Sequence, residues 1–455
     1  MSALWTGAEL AAATGGTCDP ALAVTGVSID TRSLAPGDLF VALRAARDGH
    51  DFVAEAFARG AAAAMVERDG TGGPLLRVAD TLAGLTALGA AGRARSTARV
   101  IAVTGSVGKT TTKDMLHRAM AALGLAHASA ASHNNHWGVP LTLARLPREA
   151  AWAAVEIGMN RRGEIAPLSR LARPDVAIVT AIGTAHIGNL GSQEAIADEK
   201  ADIAAGIAPG GAVLLPMDSP FFARLARSVE AHGGRVLGFG ERAEAAARLL
   251  AWHGTPEGGV AELDLLGRHI TLGLAQPGRH MALNALAALA AIQAAGGDPG
   301  VAAAALEGFG AGAGRGARLS VATPDGGAAL LLDESYNASD SAVRAALAVL
   351  AAQPARRRIA VLGDMLELGS FGPALHAGLA PDAAQADLVF ACGPLMGHLF
   401  AALPPERRGA HLPDAASLAP VVAAALRDGD AVLVKGSLGM RMAEIVRALT
   451  ERKAP

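Results

Sequence analysis

Short apolar runs alternate with helical patterns through the middle of the chain. Four runs rich in valine, isoleucine and leucine occupy residues 99–105, 152–158, 175–183 and 211–218. Helical stretches such as TTKDMLHRAMAALG and SQEAIADEKADIAAGI separate them. Buried runs of this length that alternate with helices predict a parallel sheet with helices on both faces.

The alternation resumes after a glycine-rich break, GAGAGRGARL, at 310–319. Four further runs, GAALLLDES, RRIAVLGDM, ADLVFACG and DAVLVKGS, each precede a helical pattern. This predicts a second α/β domain of Rossmann-like type. In such sheets ligands lie beyond the carboxyl ends of the strands, so the polar residues after each run are the candidates for chemistry.

The first 95 residues follow a different pattern. VTGVSIDTRSLAPGDLFVAL predicts two short strands around a Pro-Gly turn, DFVAEAFARGAAAAMV predicts a helix, and the small basic passage AAGRARSTA at 90–98 predicts a linker. We therefore expect an α/β protein of three domains. These are a small mixed domain at 1–95, a central parallel-sheet domain at 96–312 and a Rossmann-like domain at 313–455.

Composition and charge narrow the class of protein. A formal net charge of −2 over 455 residues gives no basic surface of the kind that binds nucleic acid. The two cysteines, Cys18 and Cys392, predict neither a disulfide framework nor a cysteine zinc site. The first residues lack a basic start and include Glu9, and no clean apolar run is long enough for a membrane span. We expect a cytoplasmic monomer with no nucleic-acid partner and no membrane insertion.

The segment TGSVGKTT at 104–111 predicts phosphate binding. Its glycines let backbone N–H groups turn inward, the lysine supplies a charge, and the helix that follows adds a favourable dipole. The loop is a shortened variant, because Val103 stands where the usual pattern has a glycine. A glycine-rich turn with an exposed lysine is the alternative, which the strand before and the helix after disfavour. The candidate nucleotide contacts here are Gly105, Ser106, Val107, Gly108, Lys109, Thr110 and Thr111.

Polar residues follow the other central strands. Glu156 ends the second run and is a candidate Mg²⁺ ligand, with a buried glutamate paired to an arginine as the alternative. Taken alone, His186 is more typical of a loop histidine, and Lys200 is more typical of a solvated lysine, than either is of a functional residue. Asn134 and Asn135 offer paired amide donors to an oxyanion, or form an asparagine-rich turn.

In combination these segments resemble the Mur ligase family, the ATP-dependent amide-forming ligases of peptidoglycan synthesis. The matching segments, in chain order, are TGSVGKTTTK, AVEIGMNRRGEI, TAIGTAHIGNLGSQEAIADEKADI and GRHMALNALAALA. Near the amino end VSIDTRSLAPGDLFVALRAARDGHDF is similar to several members. LLDESYNASDSAVRAAL and RIAVLGDMLELG are similar to one member only, the ligase that adds a dipeptide.

The resemblance implies an activity and its participants. ATP would phosphorylate a carboxylate of UDP-N-acetylmuramoyl-tripeptide, and the amine of D-alanyl-D-alanine would attack the acyl phosphate. Lys109 and two Mg²⁺ ions would offset the charge, with Thr110 and Glu156 holding one ion and His186 the other. Lys200 would be carbamylated by CO₂ and so become an anion beside the metal.

The resemblance also implies which residues contact ATP and which contact the uridine end of the nucleotide sugar. His280 and Asn284 match the adenine segment, Arg315 would reach a phosphate from the domain hinge, and Asp333 and Tyr336 would contact the ribose or adenine. Thr31, Arg32 and Ser33 would hold the uridine end. Several positions depart from the family pattern; among them, Gly188 stands where glutamate is frequent, and Leu438 replaces an arginine.

Three other functions remain open on the sequence. A sibling ligase that adds one amino acid, or folylpolyglutamate synthase, would share the central segments, but DESYNAS and LGDMLELG count against both. A P-loop switch protein or kinase would share the phosphate loop, but the chain has no guanine-type N-K-x-D motif. A non-enzymatic P-loop binding protein is disfavoured by the retained lysine, glutamate and histidine.

Overall fold

Three sheets of four, nine and six strands follow one another along the chain and confirm an α/β fold. The computed structural model describes residues 3–68, 72–130, 133–310 and 312–451. Among the helices of these ranges, none is both long and apolar enough to cross a membrane.

The N-terminal region forms a four-stranded parallel sheet in the order β3-β4-β5-β6, beside a two-stranded antiparallel pair, β1-β2. Its strands are β1 (Trp5–Thr6), β2 (Ala23–Val24), β3 (Gly26–Ser28), β4 (Asp38–Val41), β5 (Ala63–Val66) and β6 (Leu75–Arg77). Its helices are α1 (Gly7–Thr14), α2 (Val53–Ala58) and α3 (Thr81–Arg95), with a short 3₁₀ turn at Gly49–Phe52.

Two sequence predictions in this region are wrong. The helix expected over 51–66 ends at Ala58, and Ala63–Val66 is the fully buried strand β5. Alanine fits a helix or a buried strand equally well, so the apolar pattern did not mark the change at Gly60, where φ is +92°. The linker expected at 90–98 is helical as far as Arg95, because Gly92 lets α3 pack closely against a neighbouring helix: a Cβ there would lie 2.1 Å from the Leu143 carbonyl oxygen.

The central sheet has the order β15-β14-β13-β12-β11-β10-β7-β9-β8 and is parallel from β8 to β13. Its strands are β7 (Arg99–Thr104), β8 (Ala126–Ala128), β9 (Trp152–Glu156), β10 (Val176–Val179), β11 (Ala212–Pro216), β12 (Arg235–Gly240), β13 (Ala247–Gly254), β14 (Gly259–Leu265) and β15 (Arg268–Leu274). The four predicted runs are strands. The antiparallel edge formed by β13, β14 and β15 was not predicted.

Helices cover both faces of the central sheet, as predicted. They are α4 (Lys109–Ala121), α5 (Gly138–Ala144), α6 (Ile165–Ala172), α7 (Ile187–Leu190), α8 (Gln193–Ala201), α9 (Phe222–Ala231), α10 (Arg279–Ala294) and α11 (Pro299–Leu306), with a 3₁₀ turn at Asp202–Gly206. Side chains of α4, α10 and α11 share one buried cluster, and those of α5, α6, α8 and α9 share the cluster on the other face.

The C-terminal sheet has the order β16-β17-β21-β18-β19-β20 and is parallel except for β16. Its strands are β16 (Ala317–Ala322), β17 (Ala328–Glu334), β18 (Arg357–Gly363), β19 (Leu388–Cys392), β20 (Arg408–Leu412) and β21 (Asp430–Lys435). Its helices are α12 (Asp340–Ala351), α13 (Gly372–Ala377), α14 (Ala380–Ala383), α15 (Met396–Ala402), α16 (Ala415–Ala425) and α17 (Ala443–Thr450). Short 3₁₀ turns lie at Gly369–Phe371, Pro405–Arg407 and Leu438–Met440.

The strand order places the candidate residues at one edge of each large sheet. Strands β9, β7 and β10 are neighbours, so the phosphate loop after β7 lies between Glu156 at the end of β9 and the segment after β10. In the C-terminal sheet β17 and β21 are neighbours and pair Glu334 with Lys435 at their carboxyl ends. The structure does not describe residue 311. Residues 312–316 of the predicted break at 310–319 form a loop, and residues 317–319 already belong to β16.

Candidate active site

Two glycines shape the phosphate loop between β7 and α4. Gly105 and Gly108 have φ values of +147° and +84°, which favour glycine. A Cβ on Gly105 would lie 1.9 Å from Thr180 Oγ1, and one on Gly108 would lie 2.8 Å from Asn284 Oδ1. The loop therefore has both the backbone conformation and the close packing that only glycine permits, and it brings the predicted Asn284 against the loop.

Hydrogen bonds from the segment after β10 hold the loop in place. Ser106 N donates to the Ala181 carbonyl at 2.8 Å, and Ser106 Oγ accepts from Gly183 N at 2.9 Å. Thr180 Oγ1 lies 2.5 Å from the Val107 carbonyl, to which it donates. The loop is thus rigid before any ligand binds, which is the condition for electrostatic preorganisation.

Lys109 begins α4 and folds back over its own loop, where Nζ donates to the Gly105 carbonyl at 2.7 Å. Burial lowers the pKa of this amine, the charge of Glu156 opposes that effect, and the nearby Arg315 adds to it. A phosphate would offer the ammonium a stronger partner than a neutral carbonyl, since hydrogen bonds between charged groups are the stronger ones. Thr111 follows in the first turn of the same helix.

Glu156 is buried, with 1% of its surface exposed, and both of its oxygens are engaged. Oε2 accepts from Thr110 Oγ1 at 2.9 Å, and Oε1 accepts from Asn134 Nδ2 at 2.8 Å. The structure therefore joins two predicted metal ligands directly. It also gives Asn134 a carboxylate as its partner, whereas Asn135 Oδ1 accepts from Trp137 N and Gly138 N at the start of α5.

A carboxylate beside a hydroxyl is an oxygen donor set that suits Mg²⁺. Within the described ranges, no group of three or more histidine, cysteine, aspartate or glutamate side chains could hold a metal ion. Mg²⁺ is usually bound by one or two carboxylates together with substrate phosphates and water. Thr110 and Glu156 therefore fit an ion that arrives with a nucleotide.

Lys200 lies in α8 and is almost completely buried, with 1% of its surface exposed. Burial sets its pKa well below the ordinary value, and the charge of Lys109 lowers it further, against a smaller opposing effect of Glu199. In the described part of the chain its Nζ makes no hydrogen bond and no salt bridge. A lowered pKa favours the neutral amine, which is the nucleophilic form, so Lys200 differs from a solvated lysine.

His186 precedes α7 and has a left-handed backbone, with φ at +66°. Its Nδ1 lies 2.5 Å from Oε2 of Glu367, a residue of the C-terminal region. Sequence analysis missed Glu367, although the segment LGDMLELG that contains it was singled out. Its position four residues beyond the end of β18 was the available signal.

The hinge residues are arranged around the loop before β16. Arg315 stacks on Tyr336, with Cζ 3.9 Å from the ring centroid. Asp333 is buried and holds the same loop: Oδ2 accepts from Gly314 N at 2.8 Å, and Oδ1 accepts from Ser335 Oγ at 2.6 Å. The carboxylate predicted to contact ribose or adenine is thus bonded within the hinge in this conformation.

A cleft lies between the central and C-terminal regions. Gln276, Pro277 and His280 line its central side, and Arg318 and Glu334 are among the residues on its other side. Burial lowers the pKa of His280, and the charge of Glu334 opposes this. The structure therefore places the predicted His280 where the central and C-terminal regions face each other.

Glu334 and Lys435 were not predicted as site residues. Lys435 Nζ donates to Glu334 Oε2 and to the Asn337 carbonyl, both at 3.1 Å. Each residue is the last of its strand, so the rule that ligands lie beyond strand ends could have found them.

The predicted uridine contacts lie on a loop of the N-terminal region. Arg32 pairs with Asp30, and its guanidinium lowers the pKa of that carboxyl to about 2. Ser33 Oγ donates to the Asp30 carbonyl at 3.4 Å, while Thr31 is buried. The loop adjoins the asparagine segment, because the charge of Asp30 acts on His133. Arg32 and Ser33 both form hydrogen bonds to Asp30 within this loop.

Comparison with known proteins agrees with this geometry. Family models match in three places: the Mur ligase family catalytic domain at 23–94, the Mur ligase middle domain at 103–292 and the Mur ligase glutamate ligase domain at 317–438. UDP-N-acetylmuramoyl-tripeptide–D-alanyl-D-alanine ligase of Bacillus subtilis (strain 168) is 35% identical over 441 residues, which cover 94% of this chain and 93% of that protein.

Solved structures give the same result. MurF from Acinetobacter baumannii matches with a TM-score of 0.87 and 30% identity, over 98% of this chain and 99% of that one. MurF ligase from Thermotoga maritima in complex with ADP matches with a TM-score of 0.78 and 25% identity, over 93% and 96%. The chain belongs to the Mur ligase family.

Proposed function

We propose that this chain is an ATP-dependent, ADP-forming ligase that joins D-alanyl-D-alanine to UDP-N-acetylmuramoyl-tripeptide in peptidoglycan precursor synthesis. The similarity to ligases of that name extends over nearly the full length of the chain. The structural observation that carries the proposal is the direct contact between Thr110 and Glu156 beside Lys109 in a preformed phosphate loop.

The reaction has a charge problem that the loop is suited to solve. A substrate carboxylate must approach a triphosphate, and each pair of like charges at ~4 Å costs roughly 4 kcal/mol at an effective dielectric of 20. Lys109 would bind the oxygens of the transferred phosphoryl group, and the N–H groups of the loop would hold the neighbouring phosphates. The carboxylate oxygen would then attack the γ-phosphorus, and ADP would leave.

The second half of the reaction consumes the acyl phosphate. The free amine of D-alanyl-D-alanine attacks the acyl carbon, a C–N bond forms, the C–O bond to phosphate breaks, and the amine loses a proton. Exclusion of water is essential here, because water would compete with the amine. The close approach of the C-terminal region to the segment after β10 supports this role.

Mg²⁺ is part of the proposal. Thr110 and Glu156 would hold one ion, and His186 a second. The ions would offset the negative charge of the phosphates and of the substrate carboxylate. Asn134 would orient Glu156 through its hydrogen bond to Oε1.

Lys200 would serve as a carbamate. A neutral amine reacts with CO₂ to give a carbamate and a proton, and burial lowers the pKa of this amine and so favours its neutral form. The product is an anion, which would sit more favourably beside Lys109 and Mg²⁺ than a second ammonium would.

The remaining contacts extend from this centre. His280 and Asn284 would bind adenine, Arg315 a phosphate, and Asp333 and Tyr336 the ribose or adenine once the hinge rearranges. The loop that carries Thr31, Arg32 and Ser33, together with Asn135, would face the uridine end. We assign domains at 1–95, 96–312 and 313–455, and we place the reaction in a cytoplasmic monomer, since one chain supplies every group named here.

Phosphate release by the purified protein tests the function. The reaction contains ATP, Mg²⁺ and UDP-N-acetylmuramoyl-tripeptide, with D-alanyl-D-alanine present or absent. We expect release that depends on the dipeptide and a pentapeptide product by mass spectrometry. Release with a single amino acid instead would keep the mechanism and overturn the substrate, and no release with either would favour a binding protein.

A further inference from the structure

The loop after β18 crosses from the C-terminal region to the central region. The Glu367 carbonyl accepts from Gly188 N at 3.0 Å, at the first turn of α7. The two backbones are so close that a Cβ on Gly188 would lie 2.5 Å from Gly369 N and 2.7 Å from the Glu367 carbonyl oxygen. Glycine at 188, which has no Cβ, is what allows this approach.

The side chain of Glu367 reaches His186 at the same crossing. Its Oε2 lies 2.5 Å from Nδ1, within ion-pair distance. Among the described residues Nδ1 has no hydrogen-bond partner, so this carboxylate is the polar group next to it. The imidazole lowers the pKa of this carboxyl. A carboxylate at one ring nitrogen fixes the tautomer and the orientation of the ring, so that the other nitrogen, Nε2, is held ready to act.

The crossing loop is held rigidly by its own region. Leu366 N donates to Ser437 Oγ and Met365 N donates to His376 Nε2, both at 2.9 Å. Glu367 itself has a left-handed backbone, with φ at +64°, and so has His186. Non-glycine residues in this conformation are strained, and two that face each other across a contact mark a place where the surroundings impose the geometry.

We propose that Glu367 is a positioning residue that orients His186 only when the C-terminal region closes on the central region. This inference rests on the proposed function, in which His186 acts at the reacting phosphate. Because the carboxylate and the histidine belong to different regions, the histidine is correctly oriented in the closed form alone. Glu367 thereby couples closure to the reaction and prevents ATP hydrolysis in the open form.

The test compares four variants of the full chain with the wild type. Glu367→Ala removes the carboxylate, and Glu367→Gln keeps an acceptor for Nδ1–H without the charge. Gly188→Ala keeps Glu367 but adds a methyl group to the crossing, and Gly188 does not have a left-handed backbone that would penalise alanine. Glu406→Gln is the matched control, an exposed carboxylate elsewhere in the C-terminal region.

Two readouts separate positioning from structure. In dipeptide-dependent phosphate release, Glu367→Ala is expected to lower kcat by about tenfold to a hundredfold, the usual effect of losing such a partner, and Glu367→Gln by less. The KM values and the thermal midpoint should stay at wild-type values, because Glu367 is 49% exposed. X-ray scattering measures the radius of gyration with and without the nucleotide sugar and a non-hydrolysable ATP analogue. The decrease on binding should be smaller for the Glu367→Ala and Gly188→Ala variants than for the wild type.

Each result decides the matter. An unchanged kcat in both Glu367 variants overturns the proposal, and so does a joint fall of kcat, substrate affinity and thermal midpoint, which would make Glu367 structural. If the wild type shows no ligation, the proposed function fails, and scattering alone then decides. Equal compaction of Glu367→Ala and the wild type would in that case overturn the coupling as well.

Discussion

The two sides of the cleft are built in different ways. On the central side the phosphate loop, Thr110, Glu156 and Asn134 bond to one another and to neighbouring strands of one sheet. On the C-terminal side Asp333 bonds to its own hinge loop, and Glu367 reaches the central side through a crossing of a few atoms. The central side is therefore held together by bonds at one sheet edge, whereas the C-terminal side meets it through a contact between the two regions.

The difference has a chemical reason. Phosphoryl transfer needs fixed positive charge and metal ligands, and a rigid sheet edge supplies both without reorganisation. Substrates must also enter and products leave, and a second region joined by a hinge permits this. We expect substitutions on the central side to abolish the reaction and substitutions on the C-terminal side to lower its rate only in part.

The largest effect should come from Lys109→Met. We expect kcat to fall by about 10²–10³-fold, because one preorganised electrostatic contact is typically worth that much in such a transfer. Phosphate release measures it, with circular dichroism to confirm folding. Arg315→Ala, its counterpart from the hinge, should cost less. An equal or larger loss of kcat in Arg315→Ala would contradict the expected difference between the central and C-terminal sides.

Lys200→Ala should come next, with kcat lower by about tenfold to a hundredfold, as expected for a group that ligates or orients a metal. If the lysine acts as a carbamate, a short carboxylic acid added to the assay should restore part of the rate. Lys200→Arg is the matched variant: it keeps a positive charge and cannot form the carbamate. Activity in Lys200→Arg without any added acid would show that the amine's charge is what matters.

The adjacent residues Asn134 and Asn135 allow a metal-site role to be compared with a structural role within the central side. Asn134→Ala removes the partner of Glu156, and we expect the Mg²⁺ concentration at half-maximal rate to rise about tenfold. Asn135→Ala removes an acceptor at the start of α5, and it should lower the free energy of unfolding by about 1 kcal/mol and leave the Mg²⁺ dependence unchanged. Titrations of Mg²⁺ and of urea distinguish them. The same Mg²⁺ dependence in both variants would contradict these roles.

Most of the fold could be predicted because its strands are short, apolar and separated by clear helical patterns. The eight runs singled out from the sequence all contain strands. The failures lie where local composition is ambiguous. Ala63–Val66 is a strand within an alanine-rich stretch, and α3 continues through a passage whose glycines pack against α5.

The candidate site divides in the same way. Gly105, Lys109, Thr110 and Glu156 form a contiguous centre in the structure, and each follows a strand in the sequence. Glu367 and the Glu334–Lys435 pair could not be found so directly, because their partners lie in other segments and only packing of the two regions brings them together. Periodicity marks the elements of a fold, but it carries no information on which loop crosses to which sheet.

The smallest effect concerns the loop that bears Glu367 and its response to acid. His376 is buried, and its Nδ1 donates to the Gly372 carbonyl at 2.7 Å while Nε2 accepts from Met365 N. The bond at Nε2 requires the neutral ring, because this nitrogen accepts only when it carries no proton, and burial lowers the pKa of this histidine. Since the unfolded chain binds the proton at the ordinary value near 6.5, this contribution is complete above that pH and is lost as the pH falls below it.

Urea unfolding from about pH 7.5 to about pH 5.5 measures this effect, which for one proton has a limiting slope of about 1.4 kcal/mol per pH unit. His376→Gln should be less stable by about 1–3 kcal/mol at the upper end, because two buried hydrogen bonds are disturbed. The variant should lose less stability on acidification than the wild type, because it lacks the contribution of His376. It should still lose some, because His127 and His280 retain their lowered pKa values. Parallel curves would mean that His376 stays neutral throughout, and the acid response would then belong to the central side.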